Sequence, residues 1–253
     1  MRPLNAAELL NVWEYGLNQP NLQRALIIIA AASPELDSHA VANLSIGVRD
    51  ARLLQLSEWI FGPQLHNKAQ CPQCGEQVEW QGKTTDLRIQ AFADANSAEE
   101  FSLEVDGYQL RFRLPTSLDI ADVMALIKSD SDNSDSTTGA TTLIKRCVVS
   151  ADRSGKACDP ADLSQHVLDV LSQRIEELDP QAEIRTVLTC PECSHQWQLQ
   201  FDIASFLWTE INTWAERTLR SIHKLASAYG WTEREILNLS PIRRQLYLGM
   251  LNR

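Results

Sequence analysis

The sequence predicts an α+β fold, and three observations carry that prediction. Apolar residues recur at helical spacing over the first 62 residues and over the last 50. Between these stretches the period falls to two. It does so most clearly in FSLEV-DG-YQLRFRL, where Asp106-Gly107 is a preferred two-residue hairpin turn. Two Cys-Pro-x-Cys turns, CPQCGEQVEW from Cys71 and CPECSHQWQL from Cys190, each run into a tryptophan-bearing, strand-like segment. The chain therefore divides into an N-terminal helical region (1–65), a central α+β region (66–202) and a C-terminal helical extension (203–253).

The elements follow from local signals. Asn5 with Glu8 has the form of a capping box ahead of Leu9, Leu10, Trp13 and Leu17. Pro20 suits a first helical position before the run Ile27–Ile29, and Ser33-Pro34 is expected to open a short third helix. Ser45 opens a fourth through Leu53, Leu56, Trp59 and Ile60, and Gly62-Pro63 stops it. Val78 with Trp80, Leu87-Ile89 and Phe101–Leu114 read as strands. Thr116 or Ser117 caps a helix through Ile120, Val123 and Ile127.

The stretch SDSDNSDSTTGATT, Ser129 to Thr142, has no apolar residue large enough to anchor it and reads as a mobile surface loop. Leu143–Val149 and Leu163–Leu178 are expected helices, with Asp179-Pro180 breaking the second. Ile184–Leu188 leads into Cys190 as a strand, and Trp197–Phe201 leads out. Trp208, Ile211, Ala215, Leu219, Ile222, Ala226 and Tyr229 form one helical stripe closed by Gly230. Thr232 with Glu235 is a second capping box, and Ser240-Pro241 starts a final helix carrying Tyr247, Leu248 and Leu251.

Composition narrows the function classes. At 253 residues, with 44% hydrophobic and 22% charged, the chain can bury a core without disulfide staples. Its net charge of −10 argues against general nucleic-acid binding, which leans on clustered Lys and Arg. The charge is uneven. Glu216–Arg253 holds seven Lys/Arg and three Asp/Glu, or +4, and leaves 16 basic and 30 acidic residues elsewhere, or −14. The opening MRPLNAAELLNVWEYG reads as an amphipathic helix rather than a signal peptide, and the run Ala25–Ala32 is far too short to span a bilayer. The expected setting is the cytoplasm of the producing cell, where thiols stay reduced and paired Cys-x-x-Cys turns suggest metal.

Cys71, Cys74, Cys190 and Cys193 make a four-cysteine set suited to a structural zinc. Zinc takes four ligands at tetrahedral corners, and each turn supplies two thiolates. Pro72 and Pro191 stiffen the turns, and Gly75 allows the positive φ such a knuckle favours; Ser194 holds that place in the second. The two following strands, with Trp80 and Trp197, are expected to pair beside the metal. Residues 75–189 are then an insertion whose ends the metal clips together. The middle of the chain is thus a zinc-ribbon/β-hairpin region with a helical insertion. The rival is a thiol oxidoreductase, disfavoured because strand-like sequence, not a helix start, follows both pairs. His195 is a weaker candidate for the fourth ligand. Cys147 and Cys158 read as buried small hydrophobes, and His66, His166 and His223 as isolated. The sequence has no nucleophile elbow, phosphate-binding glycine loop or HExxH, so no catalytic residue is expected.

RDARLLQLSEWIFGP, CPQCGE, RFRLPTSLDI, CPECSHQW and the C-terminal run from FDIASFLW to RRQLYLGML form an ordered set. The set resembles the baseplate hub assembly chaperone family of T-even-type contractile-tailed phages, whose relatives occur in phage-tail-like contractile injection systems. The resemblance runs from about Leu9 to the C-terminus. The stretch IHKLASAYGWTEREILNLSPIRRQLYL also resembles short proteins of contractile tails, in which a helix, a YGW-like turn and an RR-x-x-YL helix recur.

The resemblance implies a structural or assembly role, without chemistry or a small-molecule substrate. The partners it implies are hub, spike, wedge or tape-measure proteins, engaged transiently or within the finished particle. Trp231, Arg243, Arg244 and Tyr247 are the candidate partner-binding residues, since interfaces favour Trp, Tyr and Arg. A zinc-ribbon adaptor acting on nucleic acid or in transcription is the alternative reading.

Overall fold

The structure is a computed structural model, and it describes residues 1–89, 99–129 and 136–251. The chain opens with four helices: α1 (Ala6–Gly16), α2 (Asn21–Ala32), α3 (Ser38–Ala42) and α4 (Ile46–Phe61). The Asn5–Glu8 capping box forms at α1, and Ser45 caps α4 by accepting from the Val48 N–H. Pro20 sits one place before α2, as its N-cap. The third helix does not open at Ser33-Pro34, which forms a turn closed by the Leu36 N–H on the Ser33 carbonyl. It opens at Asp37, whose carboxylate takes the Ala40 N–H at 2.7 Å.

Two hairpin strands follow, β1 (Gln64–Gln70) and β2 (Gln77–Lys83), paired from Gln64↔Lys83 to Gln70↔Gln77. Leu87-Ile89 is not a strand: Thr84–Leu87 forms a short helix, α5. The reason is the Gln181 side chain, which accepts the Ile89 N–H at 2.6 Å and donates to the Leu87 carbonyl at 3.1 Å. It thereby supplies the hydrogen bonds a neighbouring strand would have made.

The central module contains β3 (Glu100–Val105), β4 (Tyr108–Arg113), helices α6 (Ser117–Ser129) and α7 (Ser136–Cys147), β5 (Val148–Arg153), β6 (Lys156–Ala157) and α8 (Gln165–Leu178). The four strands form one antiparallel sheet in the order β3-β4-β5-β6, with the Asp106-Gly107 turn as expected. Two expectations fail here. Within the stretch read as a loop, residues 136–142 belong to α7, while 130–135 lie outside the described residues. Cys147 is fully buried, and α7 lies so close to α6 that a Cβ on Gly139 would sit 3.0 Å from the Ile127 Cδ1; tertiary packing holds the Ser/Thr-rich turns helical. The helix also ends at Cys147, not Val149. Val148 and Val149 enter β5, which pairs with β4 and turns at Ser154-Gly155.

The chain then returns through β7 (Arg185–Thr189) and β8 (Gln196–Gln200) into the long helix α9 (Ile203–Tyr229), then α10 (Glu233–Leu237) and α11 (Pro241–Leu251). The largest apolar core gathers α1, α2 and α4 with Leu65, Trp80, Leu188, Phe201 and the start of α9. A second core, around Leu110, Phe112, Val167 and Leu171, belongs to the central module. A third joins Leu10 of α1 to Ala215, Ile222, Leu225 and Ile236. Leu219 and Tyr229, read as part of the helical stripe, stay more than one-third exposed.

Polar groups weld the module to the helices. Thr116, not Ser117, caps α6. The buried Asp119 accepts both the Thr116 N–H and hydroxyl and is bridged by both Arg113 Nη atoms at 2.6 and 2.8 Å. Ser45 and Thr116 form a β-bridge, and Arg49 donates to the Ser117 hydroxyl at 3.3 Å. Asp179, just past α8, accepts the Gly47 N–H at 3.0 Å. That approach requires glycine, because a Cβ at position 47 would lie 1.6 Å from the Asp179 Oδ1.

The buried carboxylates act on stability with opposite signs. Burial opposes ionisation of Asp119, but the Arg113 and Thr116 hydrogen bonds outweigh it and hold its pKa below the ordinary 3.8. Its stabilisation is therefore present above the ordinary aspartate value and lost as pH falls through the lowered one. Burial raises Asp50 and Asp179 despite their hydrogen bonds, and each destabilises the folded state when ionised at neutral pH. That cost recedes as pH falls through their raised values. Asp119→Asn is expected to lower unfolding stability by about 2 kcal/mol at neutral pH in denaturant titration. Asp179→Asn keeps an acceptor for Gly47 and is expected to raise neutral-pH stability and to flatten its dependence on pH.

Candidate metal centre

The centre forms where two hairpins meet. Cys71 and Cys74 lie in the β1–β2 turn, and Cys190 and Cys193 in the β7–β8 turn. The turns share one hydrogen-bond pattern. The Cys71 N–H donates to the Glu76 carbonyl at 2.8 Å and the Gly75 N–H to the Cys71 carbonyl at 2.9 Å. In the second turn the Cys190 N–H donates to His195 at 2.9 Å and the Ser194 N–H to Cys190 at 3.0 Å. Gly75 and Ser194 both take positive φ, +79° and +58°, so Ser194 carries the strain that glycine avoids in its counterpart.

The expected pairing of the two following strands does not occur. β2 pairs with β1 and β8 with β7, because a tight turn places each strand beside its own sequence neighbour. The hairpins meet through side chains instead. Trp80 and Phe201 pack edge to face with centroids 5.5 Å apart, and Val78 packs with Cys71 and Cys190.

All four sulfurs lie within 4.8 Å of one another. Cys71 and Cys193 approach at 3.7 Å, and Cys74 and Cys190 at 3.6 Å. A tetrahedral site with metal–sulfur bonds of about 2.3 Å has sulfur–sulfur edges of about 3.8 Å. A disulfide needs about 2.05 Å, and all four cysteines are free. Cys71 and Cys190 are buried, while Cys193 is half-buried and Cys74 exposed.

The electrostatics also fit a cation. Burial pushes the Cys71 thiol up, but the backbone N–H groups of Cys74 and Gln73 outweigh it and bring it down to about 7. The Glu76 N–H pulls Cys74 down, yet Cys193, burial, Cys190 and Cys71 carry it up to about 12. Cys193 is likewise raised, although the His195 N–H pulls the other way. The Cys71 thiolate is favoured here, and a positive charge among the sulfurs would offset what raises Cys74 and Cys193.

His195 stacks on Trp197 at 6.1 Å between centroids and stands outside the sulfur cluster. Cys147 is buried in the central module, where burial pushes its thiol up to about 12; Cys158 is half-buried beside the same core.

The other four candidate residues are distant in role. Trp231 and Tyr247 pack edge to face at 4.9 Å, and Tyr229 stacks on Trp231 at 4.7 Å. Both Trp231 and Tyr247 are half-buried against the third core, whereas Arg243 is exposed and Arg244 half-buried. Sequence reading overlooked β1, because QLHNKAQ alternates with only Leu65 and Ala69 inward. It also overlooked the apolar residues on the outer side of α11, although their spacing of four was visible.

Cobalt(II) added to the reduced protein is expected to give the intense visible bands of a tetrahedral thiolate site. Each of Cys71→Ser, Cys74→Ser, Cys190→Ser and Cys193→Ser is expected to weaken them, and Cys147→Ser to leave them unchanged. Absorption spectroscopy checks this.

A family model described as T4 bacteriophage base plate protein matches residues 10–208. No curated protein and no solved structure matched the chain.

Proposed function

The chain belongs to the T4 bacteriophage base plate protein family, and from that premise we propose that it assembles the baseplate of a contractile tail or contractile injection system. The match over 199 residues, 10–208, is the observation that carries this reading. The role is structural, without catalysis. The chain acts as a hub assembly chaperone or as a minor baseplate component, and its partners are hub, spike, wedge or tape-measure proteins. It works in the cytoplasm of the producing cell and, if retained, in the particle. None of the helices among the described residues is long and apolar enough to cross a membrane.

The metal in this reading is zinc, held by Cys71, Cys74, Cys190 and Cys193. Four thiolates leave no open position for a substrate or water, so the ion would be structural. It would tie residues 116 and 122 apart in sequence into one site. Its binding free energy is then folding free energy for both hairpins. Partner contact falls to the C-terminal extension, including Trp231, Arg243, Arg244 and Tyr247.

Two measurements test the reading. Elemental analysis of the purified protein is expected to give about one zinc per chain, and chelation is expected to lower the thermal midpoint. A metal-free protein with an unchanged midpoint would remove zinc from the account. Tagged protein should co-purify with tail proteins from the producing cell. Mass spectrometry of finished particles then separates the two roles: presence makes it a component, and absence makes it a chaperone. An eluate of polymerase or nucleic acid without tail proteins would overturn the proposal.

A further inference from the structure

The helix α11 has one face seated and one face bare. Tyr247 and Leu248 turn inward against Trp231, Leu225 and Ile236, and the Trp231–Tyr247 contact fixes the helix in place. On the opposite side Ile242, Leu246 and Met250 follow at steps of four and are 74%, 59% and 59% exposed. Gly249 lies on the same face, and a Cβ there would find no atom within 4 Å. The result is an apolar ridge with a notch beside it, the shape that accepts a second helix. Three large apolar side chains in a row at such exposure mark a contact surface.

Charge identifies what covers it. Pro241–Leu251 carries Arg243 and Arg244 and no acid, in a chain whose net charge is −10. Neither arginine has an ion-pair partner among the described residues. Arg243 is exposed beside the ridge. Arg244 is half-buried, and burial alone lowers its pKa, so its charge loses solvent without gaining a carboxylate. A second copy of α11 would bring two more arginines and no acid to the same face.

We propose that the outer face of α11 is a docking site for an acidic amphipathic helix of a partner protein, whose apolar residues cover Ile242, Leu246 and Met250 and whose carboxylates meet Arg243. This rests on the proposed function only in taking the partner to be a protein. The site goes beyond the aromatic pair Trp231 and Tyr247, which position the helix. The attraction is electrostatically steered and weakens with salt.

The test places a photo-crosslinking amino acid at position 246 of the full chain in the producing cell, and sequences the captured segment. The expected adduct is a segment of another protein, net negative, with apolar residues at helical spacing. Synthesised as a peptide, that segment should bind the purified protein in fluorescence anisotropy. Ile242→Asp and Arg243→Glu are each expected to weaken it about tenfold, leaving the thermal melt of the protein unchanged because both side chains are exposed. Replacing one glutamate of the peptide by arginine should recover binding to Arg243→Glu. An adduct with a second copy of the chain, a basic or uncharged segment, or no adduct at all overturns the proposal. An acidic helical segment from a protein outside any tail particle upholds the docking site and overturns the baseplate reading instead.

Discussion

The convergence of the two cysteine turns is the constraint on which the rest of the structure depends. Cys74 and Cys190 are 116 residues apart in the chain and 3.6 Å apart in space. Everything between them must leave from one hairpin and return to the other. Loop-closure entropy rises only with the logarithm of length, so a whole module can occupy the interval at small added cost. That module has its own sheet and its own core, as an insertion of this size requires. The hairpins have their own reason to meet, because Trp80, Leu188 and Phe201 share the main core with the N-terminal helices. Apolar burial brings the thiols together, and four sulfurs this close are a set that could hold a cation.

The same geometry explains where polar groups were buried. The inserted module leaves and re-enters beside the start of α4, and Ser45, Gly47, Arg49, Thr116, Ser117 and Asp179 meet there. Helix termini and strand ends expose unpaired backbone groups, and a junction between two cores cannot leave them dry. The Gly47–Asp179 contact answers one such group directly. The cost is visible in Asp50 and Asp179, whose charges are buried within reach of each other. Asp119 shows the same situation solved more completely, because Arg113 supplies a bidentate cation.

Much of the fold was legible where signals are local. The two capping boxes, the Asp106-Gly107 turn, the stop at Gly62 and the C-cap at Gly230 all arise from residues within four positions of one another, and all appear. The four-cysteine set was legible because Cys-x-x-Cys turns carry their spacing in the chain. The misreadings fall where distant residues decide. Leu87-Ile89 alternates like a strand, yet a glutamine 92 residues away takes the Ile89 N–H. The Ser/Thr-rich run looked unanchored, yet its second half is helical because α6 lies against it. Val148 and Val149 continue a helical pattern in sequence, but β4 offers an open edge, and Val148 pairs there with Phe112.

By itself the sequence determined the α+β class, the caps and turns, and the two Cys-x-x-Cys turns, because each depends on residue type at short spacing. Only the tertiary structure decided that the hairpins pair within themselves, that Trp231 and Tyr247 seat a helix, and that Ile242, Leu246 and Met250 remain outside. Helical periodicity marks an apolar stripe but not which side of it finds a neighbour. On α11 two stripes compete for one core, and the aromatic side, with the larger area to bury and rings to stack against, takes it.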